Sequence, residues 1–275
     1  MKRILTVFML VLSLMTIMSG CVIREVNYGV YDNASSYTMA EDTVSLDNIN
    51  EIDINWISGK VNIETSDTDK VTFSESHKDG ISKDLYMRYL VANGKLTIQY
   101  CRSGLKVRNG SAPVKKDLTV YVPSNVVFRE IECDTVSSNL NMKGVATREL
   151  KLENVSGKVS LSDVRADEID VENVSGNISI ETDENVRRFE IETVSGNVTI
   201  TAPSVSSVSA EGVSCSLTLN LDDADFRVEL DGVSKRMKVD GTDYREVGDG
   251  NYVFGNGSGR VEVELVSGIL EINVK

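Results

Sequence analysis

The sequence predicts an all-β protein, a β-solenoid of stacked 19- to 20-residue two-strand coils with a less regular N-terminal β portion. Two observations predict it. Val-Ser-Gly-like tripeptides recur with serines at Ser137, Ser156, Ser175, Ser195, Ser214 and Ser234, at spacings of 19, 19, 20, 19 and 20. Around each serine the apolar residues alternate with period two, as in Ile169/Val171 before Ser175 and Ile178/Ile180 after it, with a valine such as Val174 directly before the serine. A fixed period of this size marks repeated supersecondary units, and the alternation marks strands with one face inward. Two short strands cannot bury their apolar face alone, whereas coils stacked about 4.8 Å apart share a continuous core. Antiparallel hairpins in a β-sandwich are the alternative, which fits one-per-coil columns of like residues less well.

Residues 1–20 are expected to be a signal peptide. Lys2 and Arg3 precede a 14-residue apolar run, Ile4 to Ile17, and the small residues Ser19 and Gly20 follow it. The run is too short for a membrane-spanning helix. A small pair directly before Cys21 resembles the bacterial lipoprotein signal, in which the cysteine is lipid-modified and becomes the new N-terminus. Met18 stands where leucine is usual. The expectation is therefore an extracytoplasmic lipoprotein anchored to the bacterial cell membrane by lipidated Cys21. An ordinary secreted chain is the alternative.

Residues 21–45 lack a clear apolar period and are expected to form the lipidated cysteine and a tether. As a random coil the tether would span on the order of 27 Å. Residues 46–128 form the N-terminal β portion. It holds an early copy of the unit, Ile52/Ile54/Ile57, Ser58-Gly59 and Val61/Ile63, and candidate strands at Lys70–Ser74, Lys95–Tyr100 and Asp117–Val122. Residues 129–275 carry the regular repeats. Gly157, Gly176 and Gly196 follow the corner serine and supply a conformation that β-branched residues resist, while Ser138, Cys215 and Lys235 take the same place elsewhere. Residues 240–258 read as an inserted hairpin, and Val261/Val263/Val266, Ser267-Gly268 and Leu270/Ile272 as the final coil.

Charge excludes some functions. Without residues 1–20 the chain carries 27 Lys and Arg against 42 Asp and Glu, a net −15. Nucleic acid needs a basic surface and is not an expected partner. After Cys21 the cysteines are Cys101, Cys133 and Cys215, an odd number with no zinc-like spacing; a Cys101–Cys133 disulfide is conceivable from sequence. The single histidine, His77, lies in a polar stretch and reads as an exposed loop residue.

Ile-Asp-Ile…Ser-Gly-Lys-Val-Asn-Ile (52–63), Gly-Lys-Leu-Thr-Ile (94–98), Leu-Thr-Val-Tyr-Val-Pro (118–123) and the serial Val-Ser-Gly-Asn-Val corners together resemble a bacterial surface family. It is the β-strand-repeat domain of unknown function known as the "putative adhesin" family, and the resemblance covers roughly residues 45–275. It implies a solenoid-like domain of the cell envelope, sometimes associated with envelope-stress systems. It carries no catalytic residue onto this chain.

The outward residues are the informative ones. Two positions before each corner valine stand Asp134, Glu153, Glu172, Glu192, Glu211 and Asp231, and the last coil adds Glu264. In register these make a carboxylate ladder that raises its own pKa values and attracts cations. It is the candidate ligand-binding site, with Glu172 and Glu192 central. The plain alternative is a solvated face that discourages sideways aggregation. The neighbouring column, with Glu132, Asp170, Glu190, Glu229 and Glu262, contains Lys151 as its one cation. After the corner the face reads Asn139/Asn141, Lys158/Ser160, Asn177/Ser179, Asn197/Thr199, Ser216/Thr218 and Arg236/Lys238, mostly uncharged side chains that suit glycan hydroxyls or plain solvent.

No cofactor is expected. Calcium is the one ion considered, at the ladder or at the turn acids Asp222/Asp223/Asp225 and Asp240/Asp243, which match no established calcium loop. The expected function is a non-enzymatic binding or scaffold module taking a cationic or glycan ligand of the envelope or host. A sensor-associated protein acting through a membrane protein partner is the second reading. A parallel-β-helix enzyme on glycans trails, because the carboxylates form a series and not a unique pair.

Overall fold

In the structure, a computed structural model, residues 25–108 and 113–275 are described, so the expected signal peptide and Cys21 lie outside the described residues. The chain is all-β, and its only helical pieces among the described residues are two single 3-10 turns, Ala34–Ser36 and Lys83–Leu85. The N-terminal strands are β1 (Glu25–Tyr28), β2 (Thr38–Met39), β3 (Val44–Leu46), β4 (Glu51–Ser66), β5 (Val71–His77), β6 (Arg88–Ala92), β7 (Lys95–Gln99), β8 (Leu105–Arg108) and β9 (Lys116–Pro123). The repeats follow as β10 (Val127–Lys143), β11 (Ala146–Ser156), β12 (Val159–Ser162), β13 (Arg165–Ser175), β14 (Ile178–Glu181), β15 (Arg188–Ala202) and β16 (Ser207–Leu221). The chain ends with β17 (Phe226–Gly232), β18 (Met237–Asp240), β19 (Arg245–Gly248), β20 (Asn251–Val253) and β21 (Gly259–Val274).

Each repeat contributes a first arm before its corner and a second arm after it. Successive first arms pair in parallel, so Ile131, Leu150, Ile169, Phe189 and Val208 lie opposite one another in turn. The second arms do the same through Leu140, Val159, Ile178, Val198 and Leu217. All ten side chains are buried in one core. The expected tight corner is corrected in part: β4, β10, β15, β16 and β21 run through it as unbroken strands. Because β10 and β15 belong to both arms, the pairings β10–β11–β13–β15–β14–β12 close into a ring of six parallel strands.

Glycine at the corner answers to a close approach of coils. Gly176 has φ +128°, and a Cβ there would stand 1.9 Å from the Gly157 carbonyl oxygen. Ser138 and Cys215 fill the same column without a positive φ. Just inside the corner, buried polar side chains link the coils. The Thr135 hydroxyl donates to Asn154 Oδ1 at 2.7 Å, and Asn154 Nδ2 donates to Asn173 Oδ1 at 3.0 Å. A buried amide needs a partner at the same height in the next coil, so this chain of bonds penalises a slipped register.

Coil order in space differs from coil order in sequence at both ends. The early copy, β4, lies inside the end coil, between β10 and a coil made by β7 and β9: Ile52 is opposite Ile131 on one side and Leu96 on the other. The final copy, β21, likewise lies between β16 and the β17/β18 coil, with Val261 opposite both Val208 and Val228. It is last in the chain but not last in the stack. Parallel pairing of equal-width coils is non-local, so the repeat pattern alone does not set their order.

The stack ends are closed by short antiparallel strands. β6 and β2 extend from β7, β5 and β3 from β9, and the hairpin β19–β20 from β17. Short edge strands blunt the unpaired backbone of an open sheet. The random-coil tether is corrected by these pairings, since β1 pairs with β8 and β2 and β3 join the sheet. Under the N-terminal end sits Lys116, its side chain 0% exposed. Its ammonium donates to Glu75 Oε2 at 2.5 Å and to the carbonyls of Leu85 and Tyr100, and lies over the rings of Trp56 and Tyr100.

Candidate functional site: the acidic face of the first arms

Period-two alternation sends every second residue of the first arms outward, and the parallel register aligns these residues into columns. In one column Asp134, Glu153, Glu172, Glu192, Glu211, Glu264 and Asp231 follow each other coil by coil, with Asn55 before Asp134. The ladder is therefore assembled as the spacing predicts, except that Glu264 stands between Glu211 and Asp231. Beside it runs Asp53, Glu132, Lys151, Asp170, Glu190, Ser209, Glu262 and Glu229.

The carboxylates are half-buried against one another, and their protons are held accordingly. Burial first, and then the charges of Glu153 and Glu132, raise the Asp134 pKa to about 7. Burial and then Glu172 and Glu211 raise Glu192 to about 7. Glu172, Asp170 and Glu132 are raised as well, burial again leading. One oxygen of Asp134, Oδ1, is buried without a hydrogen-bond partner. A carboxyl that keeps its proton near neutral pH relieves both the repulsion and the desolvation of the charged form.

Cations stand at the margins of the face. Lys151 lies 2.8 Å from Glu130 and 3.1 Å from Glu149, Lys95 2.9 Å from Asp53, and Arg188 3.0 Å from Glu168. Arg260 pairs with Glu262. Sequence reasoning found only Lys151, because the others come from a third outward column or from β7, whose place beside β4 is a tertiary fact. None of these ion pairs reaches Asp134, Glu153, Glu172 or Glu192. Beside the head of the face a shallow cleft of about 590 Å³ is lined by Asn50, Glu51, Leu90, Asn93, Lys95 and Arg129, among others.

The other sequence candidates take structural places. On the second-arm face the amides bind the neighbouring coils: Asn141 Nδ2 donates to Asn62 Oδ1, and Asn139 Oδ1 and Asn177 Oδ1 accept the backbone N–H groups of Lys158 and Asn197. Cys101, Cys133 and Cys215 are free and buried, so the conceivable disulfide is not formed. His77 closes β5 instead of lying in a loop, stacked on Tyr86, with Nε2 3.9 Å from Glu75 Oε1. Asp225 accepts from the backbone N–H groups of Asn256 and Gly257 and from the Ser258 hydroxyl, which holds its pKa below the usual range. Among the described residues no group of three or more His, Cys, Asp or Glu is placed to hold a metal ion.

The family model described as Toastrack (DUF4097) matches residues 49–274, from the first residues of the early coil to the last of β21. This chain belongs to the Toastrack family. No curated protein matches it. Solved structures similar to this Toastrack chain include a "putative cell adhesion protein" from Clostridium sporogenes, 16% identical over 86% of this chain and 100% of that one, with a TM-score of 0.39. A "putative adhesin" from Bacteroides fragilis is 13% identical over 86% and 98% of the two chains, TM-score 0.44. A "putative lipid binding protein" from Parabacteroides distasonis is 15% identical over 85% and 96%, TM-score 0.38. Likeness at this level carries nothing about what this Toastrack chain binds. Its acidic columns have to be judged on their own chemistry.

Proposed function

We propose that this chain is a non-catalytic, solenoid-like binding module of the cell envelope, held at the outer side of the membrane through Cys21, and that its acidic face takes a cationic partner. One observation carries the reading: Asp134, Glu153, Glu172 and Glu192 follow one another across four coils with no lysine or arginine paired to any of them among the described residues. Like charges held this closely destabilise the face until protons or a cationic ligand neutralise them. The plain alternative, charge that discourages strand-to-strand association, loses force because β2, β3 and the β19–β20 hairpin already close the sheet edges. A basic peptide lying along the stack brings several ammonium groups to the ladder, their long stems adjusting to rungs about 4.8 Å apart.

The test is binding of residues 22–275 to an oligolysine peptide at two salt concentrations. The expected result is saturable binding that weakens with salt and falls about tenfold or more in a Glu172→Gln/Glu192→Gln variant, the loss of two charge contacts of roughly 1 kcal/mol each. Binding unchanged in that variant would remove the ladder from the site. No binding at low salt would remove the cationic partner.

A further inference from the structure

We propose that the β7/β9 end of the stack lies directly on the membrane, with the β8 segment against anionic lipid headgroups; this deepens, and rests on, the Cys21 anchor proposed above. The first observation is the length of free chain. β1 begins at Glu25 and pairs residue by residue with β8, Glu25 opposite Arg108 and Tyr28 opposite Leu105. The hold continues past β1: the Gly104 N–H donates to the Gly29 carbonyl, and the Tyr31 N–H donates to the Ser103 hydroxyl at 3.1 Å. The Tyr31 hydroxyl donates in turn to the Cys101 carbonyl. Only Val22, Ile23 and Arg24 separate Cys21 from that docked segment. Four steps of fully extended chain reach on the order of 14 Å at most, so an acylated Cys21 leaves the domain no freedom to stand off.

The second observation is charge. Residues 85–116 contain seven basic residues and no acidic one, whereas the rest of the mature chain carries 20 basic against 42 acidic, a net −22. This stretch supplies β6, β7 and β8 at the end of the stack that the anchor holds. Residues 25–49 and 67–84, which contain β2, β3 and β5 at the same end, carry ten acidic and three basic residues, so that end is neutral overall and the net −15 belongs to the rest of the mature chain. Arg88, Arg102, Lys106, Arg108 and Lys115 fall within it; Asp84, just outside, pairs with Arg102, and Glu41 pairs with Lys83. Anionic headgroups attract such a segment within about one Debye length, roughly 8 Å at physiological salt, and repel the carboxylate columns of the remaining coils. The short leash and the charge polarity thus select the same end. The β17/β18 coil, with Lys235 and its hairpin, is at the other end of the stack.

The test couples Cys21 of the mature chain to a maleimide-headgroup lipid in vesicles, with or without phosphatidylglycerol in phosphatidylcholine. Lysine acetylation is then compared with that of the uncoupled protein. The expected result on phosphatidylglycerol vesicles is several-fold protection of Lys106 and Lys115, with Lys235 and Lys275 labelled as in solution, and a partial return of Lys106 and Lys115 labelling at high salt. Equal protection of all four lysines would mean that the domain lies flat, and no protection would mean that it stands free; either overturns the proposal. Protection that is the same without phosphatidylglycerol would overturn the headgroup contact. The anchor itself is checked separately, by the mass of the Cys21 peptide from cell membranes, so its failure is distinguishable from failure of the docking geometry.

Discussion

Glu264 lies directly opposite Glu211 and holds Asp231 one coil further away, although Asp231 comes first in the chain. The acidic ladder is thus continuous through a coil that arrives late in sequence. The same interleaving makes β21 an interior strand with a partner on each side.

Removing residues 259–275 is therefore not a trimming of one end. It takes the coil between β16 and β17/β18, exposing Leu217 and Leu219 on one side and Val228 and Leu230 on the other. Each such side chain contributes about 1.5–3 kcal/mol by its burial. The truncated chain is expected to lose its cooperative thermal transition, read by circular dichroism. A transition within a few degrees of the intact protein would contradict the interleaved order.

Stability is expected to fall as pH rises from 5 to 8. Asp134 and Glu192 have folded pKa values of about 7, above the value near 4 that they take in an unfolded chain. The folded state binds their protons more tightly, so their contribution is fully present below about pH 4 and is lost as pH rises through 7. Asp225, held low, acts only at more acid pH. The melting temperature should be higher at pH 5 than at pH 8, and Glu192→Gln should flatten the dependence and raise the value at pH 8. A melting temperature that rises over this range would contradict the coupled ladder.

At the corner column the two residue classes should respond differently to alanine. Gly176→Ala puts a Cβ against the Gly157 carbonyl at a φ of +128°, and is expected to cost about 3 kcal/mol or more in urea unfolding. Cys215→Ala, in the same column with an ordinary φ, should cost only about 1 kcal/mol. Equal costs would mean that the corner does not demand glycine where glycine is found.

Lys116 and Glu75 form an ion pair whose side chains are 0% and 5% exposed. Lys116→Met leaves a buried carboxylate beside two carbonyls without their donor, an expected loss of about 3–5 kcal/mol. Adding Glu75→Leu should recover much of it, as measured by a double-mutant cycle. Hydrogen exchange should show the loss first in β5 and β9, which carry the two residues.

Much of this architecture was legible because it is local and periodic. Alternation in Ile169/Val171 and the returns of 19 residues to Leu150 and 20 to Phe189 give strand, inward face and parallel register together. The acidic column followed from the same count. The cations at its margin were not legible, since Lys95 reaches Asp53 through a pairing of β7 with β4. Nor was the place of His77 or Lys116, each defined by Glu75 from a strand that the repeat does not include.

The sequence by itself determined the strands, most of their inward residues and the alignment of like residues, because a period-two pattern repeated every 19 or 20 residues has one register that buries the apolar columns of both arms. The corner valines are the exception, Val136 and Val233 being exposed while Asn154 and Asn173 turn inward. Only the tertiary structure decided which coil sits beside which, and that the segment after Cys21 is bound down through β1 and β8. Coils of equal width and similar pattern are interchangeable in their local energetics. Their order is settled by end closure, by the Lys116–Glu75 pair beneath one end and by the hairpin over the other, contacts that no local pattern encodes.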